Sequence, residues 1–121
     1  MSRVDDFNRV LKTLQSGTPE VEAAALISED GLVIASVLPQ TVEEGRVAGM
    51  SATLLALGTR AATELGRGHL DQVLIRGEKG YVAMMDSGSG TLLLVLTTQD
   101  AKLGLIFLEM KRAIAEFKKL I

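Results

Sequence analysis

Few residues in this chain have side chains and spacing suited to chemistry. His69 is the only histidine. One imidazole cannot build a histidine-based metal cluster, and nothing nearby completes a triad, so it reads as a polar residue at the start of a strand. Tyr81 is the only tyrosine; its ring fits the surface of a sheet, with the hydroxyl left at the solvent edge. Ser87-Gly88-Ser89-Gly90-Thr91 superficially resembles a phosphate cradle, but it falls between two strand-like runs. It therefore lacks the helix N-terminus whose dipole favours an anion, and a hairpin turn is the simpler reading. Ser89 is flanked directly by glycines, so it makes no G-x-S-x-G elbow. No Walker loop occurs, and both partial G-x-G matches fail at the third glycine, at Asp71 and at Leu93. Asp5, Asp6, Glu43 and Glu44 lie at expected helix starts, where the dipole stabilises a carboxylate without any acid–base role. The chain has no cysteine, which removes disulfides, thiolate metal sites and a cysteine nucleophile together. The expectation is a protein with no catalytic residue, no metal site and no cofactor.

Composition limits the remaining classes. A length of 121 residues suits one domain spanning residues 1–121, large enough to need no covalent staple. Formal net charge is -2, with lysine and arginine spread along the chain apart from Lys111-Arg112 and Lys118-Lys119, and aromatic content is 3%. Neither a basic nucleic-acid footprint nor a base-stacking platform is present. Apolar content is 47%, but it comes in short runs, far below the ~20 residues of a membrane span. The first residues lack the apolar core of a secretion signal. The expectation is a cytoplasmic protein with no nucleic-acid partner and no direct membrane insertion.

The elements can be read along the chain. Val4, Phe7, Leu11 and Leu14 make a helical stripe, begun by a Ser2–Asp5 capping box and stopped by Gly17-Thr18-Pro19. Residues 21–28 and 32–37 are apolar runs joined through Asp30-Gly31, a hairpin signal. Their nearly continuous apolar character predicts a sheet covered on both sides by helices. Runs at 70–75, 81–85 and 91–98, joined by glycine-rich turns, predict an antiparallel meander with the last strand central. A final helix from Ala101 carries Leu103, Ile106, Met110, Ala113, Phe117 and Ile121 on one stripe, with Asp100 as its cap. The predicted order is α-β-β-α-β-β-β-α.

The central helix is the most informative segment. Thr41-Val42-Glu43-Glu44 suggests a capping box, and the helix runs to about Leu65 before Gly66-Arg67-Gly68. It carries two apolar stripes. One holds Val47, Met50, Leu54, Leu57, Ala61 and Leu65; the other holds the smaller Ala48, Ser51, Ala52, Leu55, Thr59 and Ala62. No charge falls between Val47 and Thr59. A surface helix has one apolar stripe and one charged face, so either this helix is buried inside the domain or its second stripe meets another subunit; in so small a domain another subunit fits better. The larger stripe is expected to face the sheet and the smaller one a second copy.

Together these features resemble the Roadblock (dynein light-chain) domain family. The resemblance rests on Ser28-Glu29-Asp30-Gly31-Leu32-Val33-Ile34-Ala35, the helix around Met50 to Leu65, Gly80-Tyr81-Val82 and Leu94-Val95-Leu96, and it covers nearly the whole chain. It implies an α+β sandwich with a five-stranded antiparallel sheet, the central helix on one face and the terminal helices on the other. It also implies dimers formed by central helices and an edge strand, commonly the third. Bacterial and archaeal members of the gliding-motility type regulate small Ras-like GTPases; others are scaffolds.

Two functions follow from the resemblance: a homodimer that modulates a small Ras-like GTPase, and a scaffold or adaptor dimer with no effect on GTP hydrolysis. A small enzyme or ligand-binding module using the Ser87–Thr91 loop is the third reading. The expected dimer contacts are Ala48, Ser51, Ala52, Leu55 and Thr59, with Val73 and Ile75 pairing strands. Glu43, Arg46 and Arg60 are candidates for touching a partner, and either arginine is conceivable as a group that stabilises transition-state charge in trans.

Overall fold

The structure, a computed structural model, describes residues 2–120. Helix α1 (Arg3–Gly17) is followed by strands β1 (Val21–Ser28) and β2 (Val33–Val37) and by helix α2 (Glu44–Glu64). Strands β3 (Gln72–Gly77), β4 (Gly80–Gly88) and β5 (Thr91–Thr97) precede helix α3 (Leu103–Leu120). All neighbouring strands are antiparallel, in the order β2-β1-β5-β4-β3. The fold is the expected α+β sandwich, with β5 central and β2 and β3 at the edges.

Each inner strand feeds two cores because successive side chains point to opposite faces. On one face Ala24, Leu26, Leu93 and Val95 pack with Phe7, Leu11, Ile106, Met110 and Phe117 of α1 and α3. On the other, Ala25, Ile27, Met84, Leu92 and Leu94 pack beneath α2. Burial on both sides explains why these strands read as unbroken apolar runs. Phe7 and Phe117 join α1 to α3 edge to face, with ring centroids 5.7 Å apart.

The helix starts differ in how they are held. In α1 the capping box forms: the Ser2 hydroxyl accepts from the Asp5 amide at 3.2 Å and the Asp5 carboxylate accepts from the Ser2 amide at 3.4 Å. The box expected at Thr41–Glu44 does not form. Glu43 is the N-cap without a side-chain bond, and the Glu44 carboxylate instead accepts from the Ser36 hydroxyl at 2.7 Å, tying the helix start to β2. Asp100 does not cap α3 either; it accepts a bond from the Thr98 hydroxyl and lies before the helix proper. Ile121, assigned to the α3 stripe by its spacing, lies outside the described residues.

Two glycines are required by geometry. Gly31 holds a φ of +86° in the β1–β2 turn, as the Asp-Gly signal predicts. Gly80 sits at the start of β4 against the neighbouring strand end, where an added β-carbon would lie 1.8 Å from the Thr97 carbonyl oxygen.

Candidate protein interface

The expected orientation of α2 is reversed. Ala48 and Ser51 are buried against the protein's own sheet, and Ala52 and Leu55 are half-buried in the same core. Met50 and Leu57, expected inside, are 56% and 60% exposed, and Leu65 is also exposed. Val47 and Leu54 straddle the boundary, half-buried at the rim of that core. The cause is close approach. A β-carbon added at Gly58 would stand 3.0 Å from Val73 Cγ2, and one added at Gly31 would stand 3.4 Å from Gly49 Cα. A helix lying this near its sheet has room for Ala, Ser and Gly beneath it, and the bulky residues turn outward.

Sequence reasoning missed Met50 and Leu57 as outward residues, although one signal was available. A step of seven residues along a helix stays on nearly the same face. From Met50 and Leu57 that step leads to Glu43 and Glu64, which a core stripe would not contain.

The outward face of α2 therefore has an apolar middle and charged ends. Thr53 lies in the middle with its hydroxyl bonded back to the Gly49 carbonyl at 2.9 Å, which leaves its methyl group to solvent. At one end Arg46 stands 3.9 Å from Glu43; at the other Arg60 meets Glu64 at 2.8 Å. All four are well exposed, so these pairs contribute little to stability and leave the charged groups free to exchange partners. Glu43, Arg46 and Arg60 thus flank the apolar patch. Ile75 and Val73 of β3 lie on the α2 side of the sheet, Ile75 exposed at the edge and Val73 tucked under Gly58; Thr59 is exposed, with its hydroxyl bonded to the Leu55 carbonyl.

The other chemical candidates stay apart. His69 is exposed before β3, and the described residues hold no cluster of three or more His, Cys, Asp or Glu suited to a metal ion. Tyr81 is half-buried against the core beneath α1 and α3, as expected. Ser89 and Gly90 form a two-residue hairpin turn with φ of +54° and +73°. The cleft beside that turn is lined by Glu29 and Asp86, whose charge opposes a phosphate. Ser87 is buried at a bulge in β4, and its hydroxyl has no protein partner among the described residues.

The molecule is thus defined by a sheet sandwiched between helices and by one helix face left apolar and open. The chain belongs to the Roadblock/LC7 domain family, which matches residues 7–97. It is 40% identical over 112 residues to the uncharacterized protein MJ1340 of Methanocaldococcus jannaschii, covering 93% of this chain and 96% of that relative. A Roadblock/LC7 domain from Streptomyces avermitilis superposes with a TM-score of 0.85 at 25% identity, covering 93% of this chain and 94% of the other. The gliding protein MglB from Thermus thermophilus shares the fold with a TM-score of 0.87 at 22% identity, over 99% and 91% of the two chains. No helix among the described residues is long and apolar enough to cross a membrane.

Proposed function

We propose that residues 1–121 act as one non-catalytic domain that forms a cytoplasmic homodimer, binds a small Ras-like GTPase and modulates its nucleotide cycle. The observation that carries this reading is the exposed apolar face of α2, with Met50 and Leu57 at its centre. Water-exposed side chains of this size in a charge-free stretch mark a surface meant to be covered. The second copy is the natural occupant because β3, the adjacent edge strand, offers unpaired backbone groups beside the same face. The dimer contacts accordingly shift from the buried Ala48 and Ser51 to Met50, Thr53 and Leu57, with Ile75 at the strand edge.

The GTPase half of the reading rests on membership of the Roadblock/LC7 family and on the fold shared with MglB. Glu43, Arg46 and Arg60 flank the apolar patch and are placed to meet a third protein at its rim. Their exposure suits positioning of the partner's mobile segments better than insertion of an arginine into its nucleotide site.

The test has two parts. Sedimentation of the purified chain should give a dimer; a monomer at high micromolar concentration overturns the assembly. Pull-down with a small GTPase encoded beside this chain, loaded with GDP or with a GTP analogue, should show binding that depends on the nucleotide, together with a changed rate of hydrolysis or exchange. Tight binding with unchanged turnover would replace the regulator by a scaffold, and no binding in either state would remove the GTPase.

A further inference from the structure

The open edge of β3 has a charged groove at one end and a charged turn at the other. Asp71 and Asp86 share a cavity of about 450 Å³ with Lys111 and Lys118, together with the apolar Met85 and Ile114. It lies between the flank of α3 and the first residues of β3. None of these four charged groups makes an ion pair among the described residues; the Asp86 carboxylate accepts only from the Gly88 amide, at 2.8 Å. At the other end, the last turn of the edge presents Arg76, Glu78 and Lys79, all exposed and also without an ion pair among the described residues. Within its own chain Arg76 shares a cavity with Glu78 and Asp100 and is bonded to neither.

A two-fold axis brings these ends together. A closed dimer uses the same patch on both copies, so two β3 strands that share an edge run antiparallel. Directly paired residues lie on one face of a sheet. Gln72 pairs with Met85 and Arg76 with Tyr81, and both partners pack beneath α1 and α3. Gln72 and Arg76 therefore point to the α3 side, the side of the groove. The registers that keep β3 most fully paired set Leu74 or Ile75 opposite its own copy. The first puts Gln72 opposite Arg76 of the second copy; the other puts Asp71 opposite its Lys79. Either way a cation arrives beside Asp71, and Arg76 faces Gln72 or Leu74 and never another Arg76.

We propose that the β3–β4 turn of a second copy docks in this groove, with Arg76 and Lys79 meeting Asp71 and Asp86, and Glu78 meeting Lys111 and Lys118. The proposal rests on the dimer described under the proposed function and adds a charge lock at each end of the strand pair. The match of sign selects the occupant. A groove of one sign would take a simple ion, whereas this one holds two charges of each sign, and the turn supplies both signs within four residues. Rim charges of this kind set register and choice of partner more than raw affinity. The lock therefore favours a copy of this chain over a domain of the same fold whose turn lacks the pattern.

Charge reversal tests the lock, read by sedimentation over a concentration series. Arg76→Glu with Lys79→Glu reverses the turn, and Asp71→Arg reverses the groove. Each variant should raise the dimer Kd at least about tenfold, because both ends of the pair then set like charges together. Mixing the two variants should restore association, since each end of the mixed dimer joins opposite charges again. A defect inside one chain is not repaired by adding another chain, so the rescue separates a contact between copies from a structural role. All three positions are exposed, and unchanged circular dichroism would confirm that the variants fold. If the wild type dimerises and both variants keep its affinity, the lock is overturned and the dimer stands. Weakening without rescue on mixing overturns the lock as well. A monomeric wild type overturns the lock and the dimer together.

Discussion

Gly58 of α2 lies directly over Val73 of β3, so close that a β-carbon on the glycine would stand 3.0 Å from Val73 Cγ2 and 3.3 Å from Leu70 Cδ2. This contact sets how near the helix sits to the sheet, and hence which of its residues fit underneath. Gly58→Val should push α2 away from β3 and lower unfolding free energy by about 1–3 kcal/mol, the range for overpacking a tight contact. Urea denaturation checks this, and Val73→Ala in the same chain should recover part of the loss. Full stability in the single variant would mean that the contact does not set the spacing.

Leu55 and Leu57 sit two residues apart on α2 and should behave oppositely. Leu55 is half-buried in the core over the sheet, whereas Leu57 is mostly exposed. Leu55→Glu should damage the fold itself, because a carboxylate placed in that core has no partner. Leu57→Glu should leave circular dichroism and the melting temperature near those of the wild type while converting the dimer to monomer in sedimentation. A folded Leu55→Glu chain would restore the orientation that hydrophobicity alone suggests.

Phe117 is fully buried and packs edge to face on Phe7. Phe117→Ala should cost about 3–5 kcal/mol in chemical denaturation, the usual range for deleting a core aromatic ring. Because the ring fastens α3 to α1, protease cleavage within α1 should accelerate as well.

Gly80→Ala should be worse than its small size suggests. Its β-carbon would fall on the Thr97 carbonyl, an atom of the sheet's central strand that cannot swing aside. The expected result is loss of soluble folded protein, or destabilisation beyond about 3 kcal/mol, larger than the cost of an ordinary strained backbone residue. A near-native melting temperature would refute it.

Most of the fold was legible in the sequence because local chemistry and global packing agree. Asp30-Gly31 marks a turn that needs positive φ, and Ala25 to Ile27 and Leu92 to Val95 are apolar on both sides because both sides are covered. The candidate interface was legible only in part. The charge-free length of α2 was visible, but its inward side was not, because hydrophobicity ranks Met50 and Leu57 as core and Ala48 and Ser51 as neutral. Distance between helix and sheet decides the matter, and it is a tertiary quantity. The failed cap at Thr41 has a similar origin: Glu44 finds a hydroxyl on β2 that lies eight residues earlier in the chain.

The strand order also makes the molecule a reporter of its own assembly. β5 is bonded on both sides, so its amide hydrogens should exchange with solvent only when the whole sheet opens. β3 is bonded on one side alone, and its outward amides should exchange quickly in an isolated chain. If a second copy docks along that edge, protection of those few amides will rise with concentration while the rest of the sheet keeps its pattern. Deuterium uptake on a single strand would then measure association without any label or partner.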